Sequence, residues 1–246
     1  MTIVGTSRLV AILDDDKSVQ DALQDLIQAE GMSSLCLSSA EEFLQSPARQ
    51  KVGCLIADIQ MPGMSGVELQ MHLKTERCPI PIIFLTGRGD IPLAVSAMKR
   101  GASDFHTKPV DATSLLISVE RALRQNLANR RAAMEHASLV ARYESLTPRE
   151  REVLPMLAGG LLNKQVAFEL GITEYTVQLH RGHIMRKMEA DSFATLVRFA
   201  DKIRRGMRAV RLLDLNGQQH LAGGERAVPR DGIESRTARA SAGQID

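Results

Sequence analysis

Five polar side chains stand where short chain segments end, and together they could hold a hard cation. Leu9 to Leu13 runs into Asp14 and Asp15, Val52 to Ala57 into Asp58, and Ile82 to Leu85 into Thr86. The short segment Asp104–His106 is followed by Lys108-Pro109. Three carboxylates brought together repel unless a cation lies among them. An oxygen-only ligand set selects a hard ion, Mg²⁺, which keeps several waters and tends to bridge a phosphate. Taken singly, Thr86 is an ordinary strand-end residue, Lys108 a surface lysine and Phe105 a core aromatic. The reading rests on the set and its order.

The elements that must bring these residues together follow from periodicity. The apolar runs Leu9–Leu13, Ser33–Leu37, Val52–Ala57 and Ile82–Leu85, with Asp104–His106, predict five strands. Between them lie helical patterns: Val19, Leu23, Leu26 and Ile27 on one face, then Ala40–Gln45, Val67–Lys74, Leu93–Arg100 and Ala112–Arg124. Strict alternation predicts βα units in a doubly wound parallel sheet, with strands buried on both faces. Ligands of such sheets bind outside the carboxyl ends of the strands, where the five polar residues fall.

Residues 113–143 read as one long helix with Leu116, Val119, Leu123 and Leu127 on one stripe. It is a helical connector or a coiled dimer seam, not a flexible Gly/Ser linker. Four more helices follow. Thr147-Pro148-Arg149-Glu150 is a capping box with proline in the first turn. Gly159-Gly160 ends that helix, Asn163–Leu170 is stopped by Gly171, Thr173 caps a third helix reaching about Met188, and a fourth runs from about Ser192 to Arg205. From Met207 periodicity is lost, and 207–246 is expected to be largely disordered.

The second and third of these helices carry a different chemistry. Ala167 is small where two helices must touch, Gly171 suits a turn needing positive φ, and Leu170, Ile172 and Val177 fill the space between them. That is the arrangement of a helix-turn-helix. On the third helix Val177, Ile184 and Met188 should face inward, leaving Tyr175, Gln178, Leu179, Gly182 and Arg186 on the side that would enter a major groove.

Charge fits two partners of opposite kind. The 246 residues carry a net charge of +2, but residues 1–125 carry 12 basic and 15 acidic side chains, and residues 142–206 carry 11 and 8. The whole-chain balance excludes a polybasic coat or an acidic tail, while its halves differ in sign. Cys36, Cys54 and Cys78 are sparse and in no CxxC spacing, which argues against a disulfide scaffold or zinc site and suits a reducing cytosol. No run approaches the roughly 20 apolar residues of a membrane span. The expectation is a cytoplasmic protein without a membrane partner.

The front segment, about residues 7–125, resembles the receiver domain of two-component response regulators, a flavodoxin-like fold. The resemblance is carried by Asp14-Asp15, Asp58 with Met61-Pro62 and Gly66, Thr86-Gly87, and Lys108-Pro109. Residues 87–105 are similar to the FixJ-type subgroup. The resemblance implies that Asp58 is the phosphoacceptor. It also implies that Asp15, Asp58 and the Gln60 backbone carbonyl hold Mg²⁺, with Asp14 placing a metal water. By the same resemblance Lys108 and Thr86 meet phosphoryl oxygens, Phe105 is the aromatic switch, and the Lys108-Pro109 bond is cis. Residues 142–206 resemble the LuxR/NarL-type DNA-binding domain, through Leu146–Leu154, Asn163-Lys164 and Thr176-Val177 with His180-Arg181. Residues 126–141 form the linker between the two. Gln178 could then read adenine and Leu179 a thymine methyl. Gly182 lies on the same reading face. Thr176 could hold a phosphate at the helix N-terminus, with Lys164, Arg181 and Lys187 as further phosphate contacts.

The resulting expectation is a response regulator phosphorylated by a sensor histidine kinase. It would then dimerise, bind an inverted-repeat operator and activate transcription, with RNA polymerase a further partner. A phosphorylation-independent regulator with a vestigial receiver is the alternative. A phosphatase is disfavoured because Ile59-Gln60 after Asp58 supplies no second carboxylate as general acid, so hydrolysis should be limited to slow self-dephosphorylation.

Overall fold

The computed structural model describes residues 8–76, 78–87 and 91–206; the expectation about the tail from 207 onward lies outside these. Two compact units divide between Ser138 and Leu139. In the first, strands β1 (Leu9–Leu13), β2 (Ser33–Leu37), β3 (Val52–Asp58), β4 (Ile82–Thr86) and β5 (Asp104–Thr107) form one parallel sheet in the order β2-β1-β3-β4-β5. Helices α1 (Lys17–Ala29), α2 (Ala40–Gln45), α3 (Gly66–Thr75), α4 (Ile91–Lys99) and α5 (Ala112–Glu144) alternate with the strands.

Both faces of β1, β3 and β4 are buried, which is why these central strands are apolar at nearly every position rather than at every second one, whereas the edge strands β2 and β5 carry polar residues. Ala11, Leu13, Leu55, Ala57 and Phe84 pack under α2, α3 and α4 through Phe43, Leu69, Leu73, Ala94 and Ala97. Their chain neighbours Val10, Ile12, Cys54, Ile56, Ile83 and Leu85 point the other way and meet Leu23 and Ile27 of α1 and Leu115 and Val119 of α5. All three cysteines are free, and burial pushes the Cys54 thiol up to about 12. The strand order reverses between β1 and β3, so the loops leaving these two strands open side by side at the carboxyl edge.

Helix α5 is continuous for 33 residues, through the stretch whose composition reads as a linker. The second unit contains α6 (Pro148–Ala158), α7 (Asn163–Leu170), α8 (Glu174–Lys187) and a further helix, α9, over 193–206. Leu139, Leu146, Val153, Leu154, Leu157, Val166, Val177, Ile184, Met188, Leu196 and Ile203 form its core. The capping box at α6 is present: Thr147 accepts from the Glu150 N–H and the Glu150 carboxylate accepts from the Thr147 N–H. Gly171, at φ +64°, closes α7 in the left-handed conformation, and Thr173 caps α8 by accepting from the Thr176 N–H. Among the described residues no helix is long and apolar enough to cross a membrane.

Candidate functional site

The carboxyl edge of the sheet gathers the acidic residues as their spacing requires. One carboxylate oxygen from each of Asp14, Asp15 and Asp58 lies within 4.8 Å of the others. Asp14 is 1% exposed, Asp58 is part-buried and Asp15 faces solvent. The Lys108 ammonium donates to Asp14 Oδ2 and to Asp58 Oδ2, each at 2.6 Å. The Lys108 backbone N–H donates to the Thr86 carbonyl at 2.8 Å, and the Lys108-Pro109 peptide bond is cis.

Three carboxylates facing one ammonium leave an excess negative charge of two. Burial is the largest influence on Asp14 and lifts its carboxyl above the ordinary range, against the opposing hydrogen bond from Lys108. Desolvation works against the Lys108 charge, but the hydrogen bonds to Asp14 and Asp58 outweigh it and hold the ammonium above the usual lysine value. A partly desolvated, oxygen-only site of this charge fits a hard divalent cation.

Several further contacts build this edge. Asp14 Oδ1 accepts from the Asp16 N–H at 3.0 Å, and Asp16 in turn caps α1 by accepting from Ser18. The buried Gln20 amide donates to the Asp14 carbonyl at 2.6 Å and to the Leu37 carbonyl at 3.0 Å, tying the acidic loop to β2. Glu41 Oε1 accepts from the Met64 N–H at 2.9 Å, which steadies the loop after Asp58. The Gln60 N–H donates to Asp58 Oδ1 at 3.0 Å. Gly66 passes so close that an added Cβ would lie 2.4 Å from the Asp58 carbonyl oxygen. Of these, Gln60 and Gly66 stand in the stretch after Asp58 that the sequence already marked, whereas Asp16, Gln20 and Glu41 carried no such signal.

Thr86 and Phe105 are placed less directly. Thr86 is fully buried, and its hydroxyl donates to the Gly87 carbonyl at 3.1 Å. Phe105 pairs with Phe84 across β4 and β5 and packs, partly buried, against the sheet core. Neither side chain contributes a bond to the carboxylate cluster in this conformation.

In the second unit, Val177 and Ile184 of α8 and Met188, which follows it as the cap, face inward, all 0% exposed. Tyr175, Gln178, Leu179, Gly182 and Arg186 are exposed on the other side. Lys164 is exposed on α7. Arg181 stacks its guanidinium 4.3 Å from the centre of the Phe193 ring. The Thr176 hydroxyl pairs with that of Thr173 at 2.8 Å. Lys187 departs from the expectation: its ammonium donates to the buried Glu150 carboxylate at 2.7 Å, locking the end of α8 to the start of α6. A buried carboxylate needs a partner, and Lys187 is held there rather than presented with the exposed residues of α8. Desolvation opposes the Glu150 charge, but Lys187 and the Thr147 N–H outweigh it and hold the carboxyl below its usual range.

Comparison with known proteins matches residues 10–120 to the response regulator receiver domain and residues 144–200 to the luxR family of bacterial regulatory proteins. Response regulator protein TodT of Pseudomonas putida is 46% identical over 80% of this chain and 86% of its own. Nodulation protein W of Bradyrhizobium diazoefficiens is 42% identical over 82% and 89%. Transcriptional regulatory protein FixJ of Rhizobium meliloti is 40% identical over 79% and 96%. The solved structure of response regulator StyR superposes with a TM-score of 0.73 at 42% identity, covering 79% of this chain and 98% of that one. A receiver domain implies a histidine kinase partner, and a luxR-family domain implies DNA binding. The chain belongs to the two-component response regulators that join a receiver domain to a LuxR-type helix-turn-helix and regulate transcription.

Proposed function

We propose that Asp58 is the phosphoacceptor, and that its phosphorylation by a sensor histidine kinase raises the affinity of the second unit for DNA. The observation that carries this is the Lys108 ammonium, 2.6 Å from both Asp14 and Asp58 in a cluster otherwise made only of carboxylates. Asp15, Asp58 and the Gln60 backbone carbonyl would hold Mg²⁺, with Asp14 placing a metal water. When bound, the ion neutralises charge on the phosphoryl oxygens. An Asp58 oxygen attacks phosphorus; the new P–O bond forms as the P–N bond to the kinase histidine breaks, and the imidazole keeps the electron pair and a proton. Lys108 then follows the phosphoryl oxygen it can reach. The Thr86 hydroxyl leaves Gly87 for a second oxygen, vacating space for Phe105 to turn inward. Repacking of this kind biases the face of α4, β5 and α5 toward a homodimer.

A dimer would place two α8 helices about one DNA turn apart, so the operator is an inverted repeat, and two weak half-sites act as one strong one. Gln178 and Leu179 read bases, while Lys164, Thr176 and Arg181 position the backbone. Activation, through contact with RNA polymerase in a reducing cytosol, is the regulatory sense that fits the FixJ-type resemblance. The decisive test uses DNA selected from a random pool by the chain treated with acetyl phosphate and Mg²⁺. Wild type should bind that DNA at least tenfold more tightly with acetyl phosphate and Mg²⁺ than without. Asp58→Asn should bind equally weakly in both conditions. Equal affinity in all four cases overturns the proposal in favour of a vestigial receiver.

Gly182 supports the reading of α8. It sits mid-helix, where glycine is unfavourable by about 0.5–1 kcal/mol relative to alanine. Nothing lies within 4 Å of a Cβ added there, so the fold itself has no need of glycine. A DNA backbone or base edge approaching that surface would. Gly182→Ala is expected to raise the unfolding midpoint while weakening DNA binding several-fold, measured by thermal denaturation and by titration of the selected DNA.

A further inference from the structure

Helix α5 is fastened to the far end of the strand that carries Asp58. Asn126 is 2% exposed, and its amide donates to the Gly53 carbonyl at 2.5 Å and the Val52 carbonyl at 3.4 Å. Four residues on, Arg130 Nη2 donates to the same Val52 carbonyl at 2.7 Å, and Arg130 Nε donates to Asn126 Oδ1 at 3.0 Å. One turn of helix thus supplies the donors for the first two carbonyls of β3.

The strand has a reason to need them. Leu9 of β1 pairs with Val52 but Val10 pairs with Cys54, so Gly53 is an extra residue on β3. On the other side, β4 does not begin to pair until Leu55 meets Ile82. The carbonyls that open β3 are therefore poorly served by the ladder, and a buried backbone carbonyl must find a donor. Asn126 and Arg130 come after the residues that the sheet core uses from α5, which are Leu115, Val119 and Ala122. Immediately beyond them, residues 131–138 are exposed at every position, and Leu139 already belongs to the core of the second unit.

We infer that Asn126 and Arg130 are positioning residues that make α5 rigid with β3 up to residue 130, so that a change at the Asp58 end reaches the exposed stretch 131–138. This rests on the reading of Asp58 as phosphoacceptor. Without the clamp, the last turns of α5 on the receiver can bend, and rearrangement of the phosphorylated edge is absorbed there.

Hydrogen exchange of the full chain, with and without beryllium trifluoride and Mg²⁺ as the phosphoryl mimic, tests this. In wild type, adding the mimic should change exchange at Asp58–Met64 and, at least threefold, at 131–138. Asn126→Ala and Arg130→Ala should keep the change at Asp58–Met64 and reduce that at 131–138 to less than twofold. Arg131→Ala, one residue past the clamp, should respond as wild type does. A purely structural role would raise exchange equally with and without the mimic, leaving their ratio intact. An intact ratio in both clamp variants, or a wild type that responds at Asp58 but not at 131–138, overturns the inference and leaves the phosphoacceptor standing. A wild type with no response at Asp58 overturns both.

Discussion

Lys108→Met is expected to destabilise the first unit by about 3 kcal/mol when no divalent ion is present, and to bind Mg²⁺ more tightly than wild type. Removing one partner of a buried ion pair typically costs about 3–5 kcal/mol, because the other charge is left without compensation. The 27% exposure of Lys108 and the 13% exposure of Asp58 place this pair near the lower figure. Asp14, at 1% exposure, carries most of the penalty. A cation that binds only the folded state stabilises it by about 2.7 kcal/mol at a hundred times its dissociation constant. The gap between variant and wild type should therefore narrow in Mg²⁺, while phosphorylation by acetyl phosphate slows because the phosphoryl oxygen has lost its ammonium. Metal affinity and phosphorylation moving in opposite directions is the outcome to look for; both falling together would mean that the Lys108 ammonium does not compete with the cation for the carboxylates.

The pH dependence has a definite sign. The Lys108 pKa is raised by its partners, so its contribution is complete below the ordinary lysine value and is lost as pH rises through the folded value. The Asp14 carboxyl is also raised, so the fold disfavours its charged form. Its protonated form adds stability that is present at low pH and disappears as pH rises through that raised value. In Lys108→Met the bond that restrains Asp14 is gone, and its carboxyl should rise further. The variant's deficit should be greatest at neutral pH and shrink on acidification, as followed by chemical denaturation at several pH values.

Much of this architecture could be read from the chain because buried parallel strands leave an unmistakable trace. Leu9–Leu13 and Val52–Asp58 are apolar on both faces, and their polar ends mark the edge where Asp14, Asp15 and Asp58 meet. Thr147 with Glu150 and Gly171 with Thr173 fix helix ends through local bonds, so they too show in sequence. What escaped was contact between residues far apart along the chain. Lys187 and Glu150 are separated by 37 positions, and nothing in the basic pattern of α8 distinguishes a lysine turned to a buried carboxylate from one turned to a phosphate. Asn126 lies 73 residues from Gly53, and the bulge that creates its acceptor exists only once β1 and β3 have paired. The extent of α5 was legible because helical composition persists. Its fastening through Arg130, in a stretch of Ala, Arg and Asn, was not.

Gly66→Ala should be the most damaging of the small substitutions at the receiver. Its Cβ would lie 2.4 Å from the Asp58 carbonyl oxygen and 2.9 Å from Phe84 Cε1. Neither neighbour can give way. Asp58 is registered against Leu85 in the sheet, with the following Ile59 N–H donating to the Leu85 carbonyl at 2.9 Å, and Phe84 is fully buried. The start of α3 must move instead. Its Ser65–Glu68 capping box, and the loop whose Gln60 N–H holds Asp58 Oδ1, would move with it. Overpacking a rigid site costs about 1–3 kcal/mol, while a displacement of about 1 Å at reacting groups can cost about a hundredfold in rate. The expected result is a folded chain with a lowered unfolding midpoint and phosphorylation by acetyl phosphate slowed at least tenfold. Gly63→Ala separates this from a general intolerance of the loop. At φ +76° it carries backbone strain, and its Cβ would meet only the carboxylate end of Glu41 at 2.9 Å, a flexible side chain whose displacement costs the bond to the Met64 N–H but leaves the Asp58 backbone and Phe84 untouched. Gly63→Ala should therefore lose stability with a much smaller loss of phosphorylation rate. If Gly66→Ala is phosphorylated as fast as wild type, the close approach of α3 to the Asp58 backbone does not set the geometry of the phosphoacceptor.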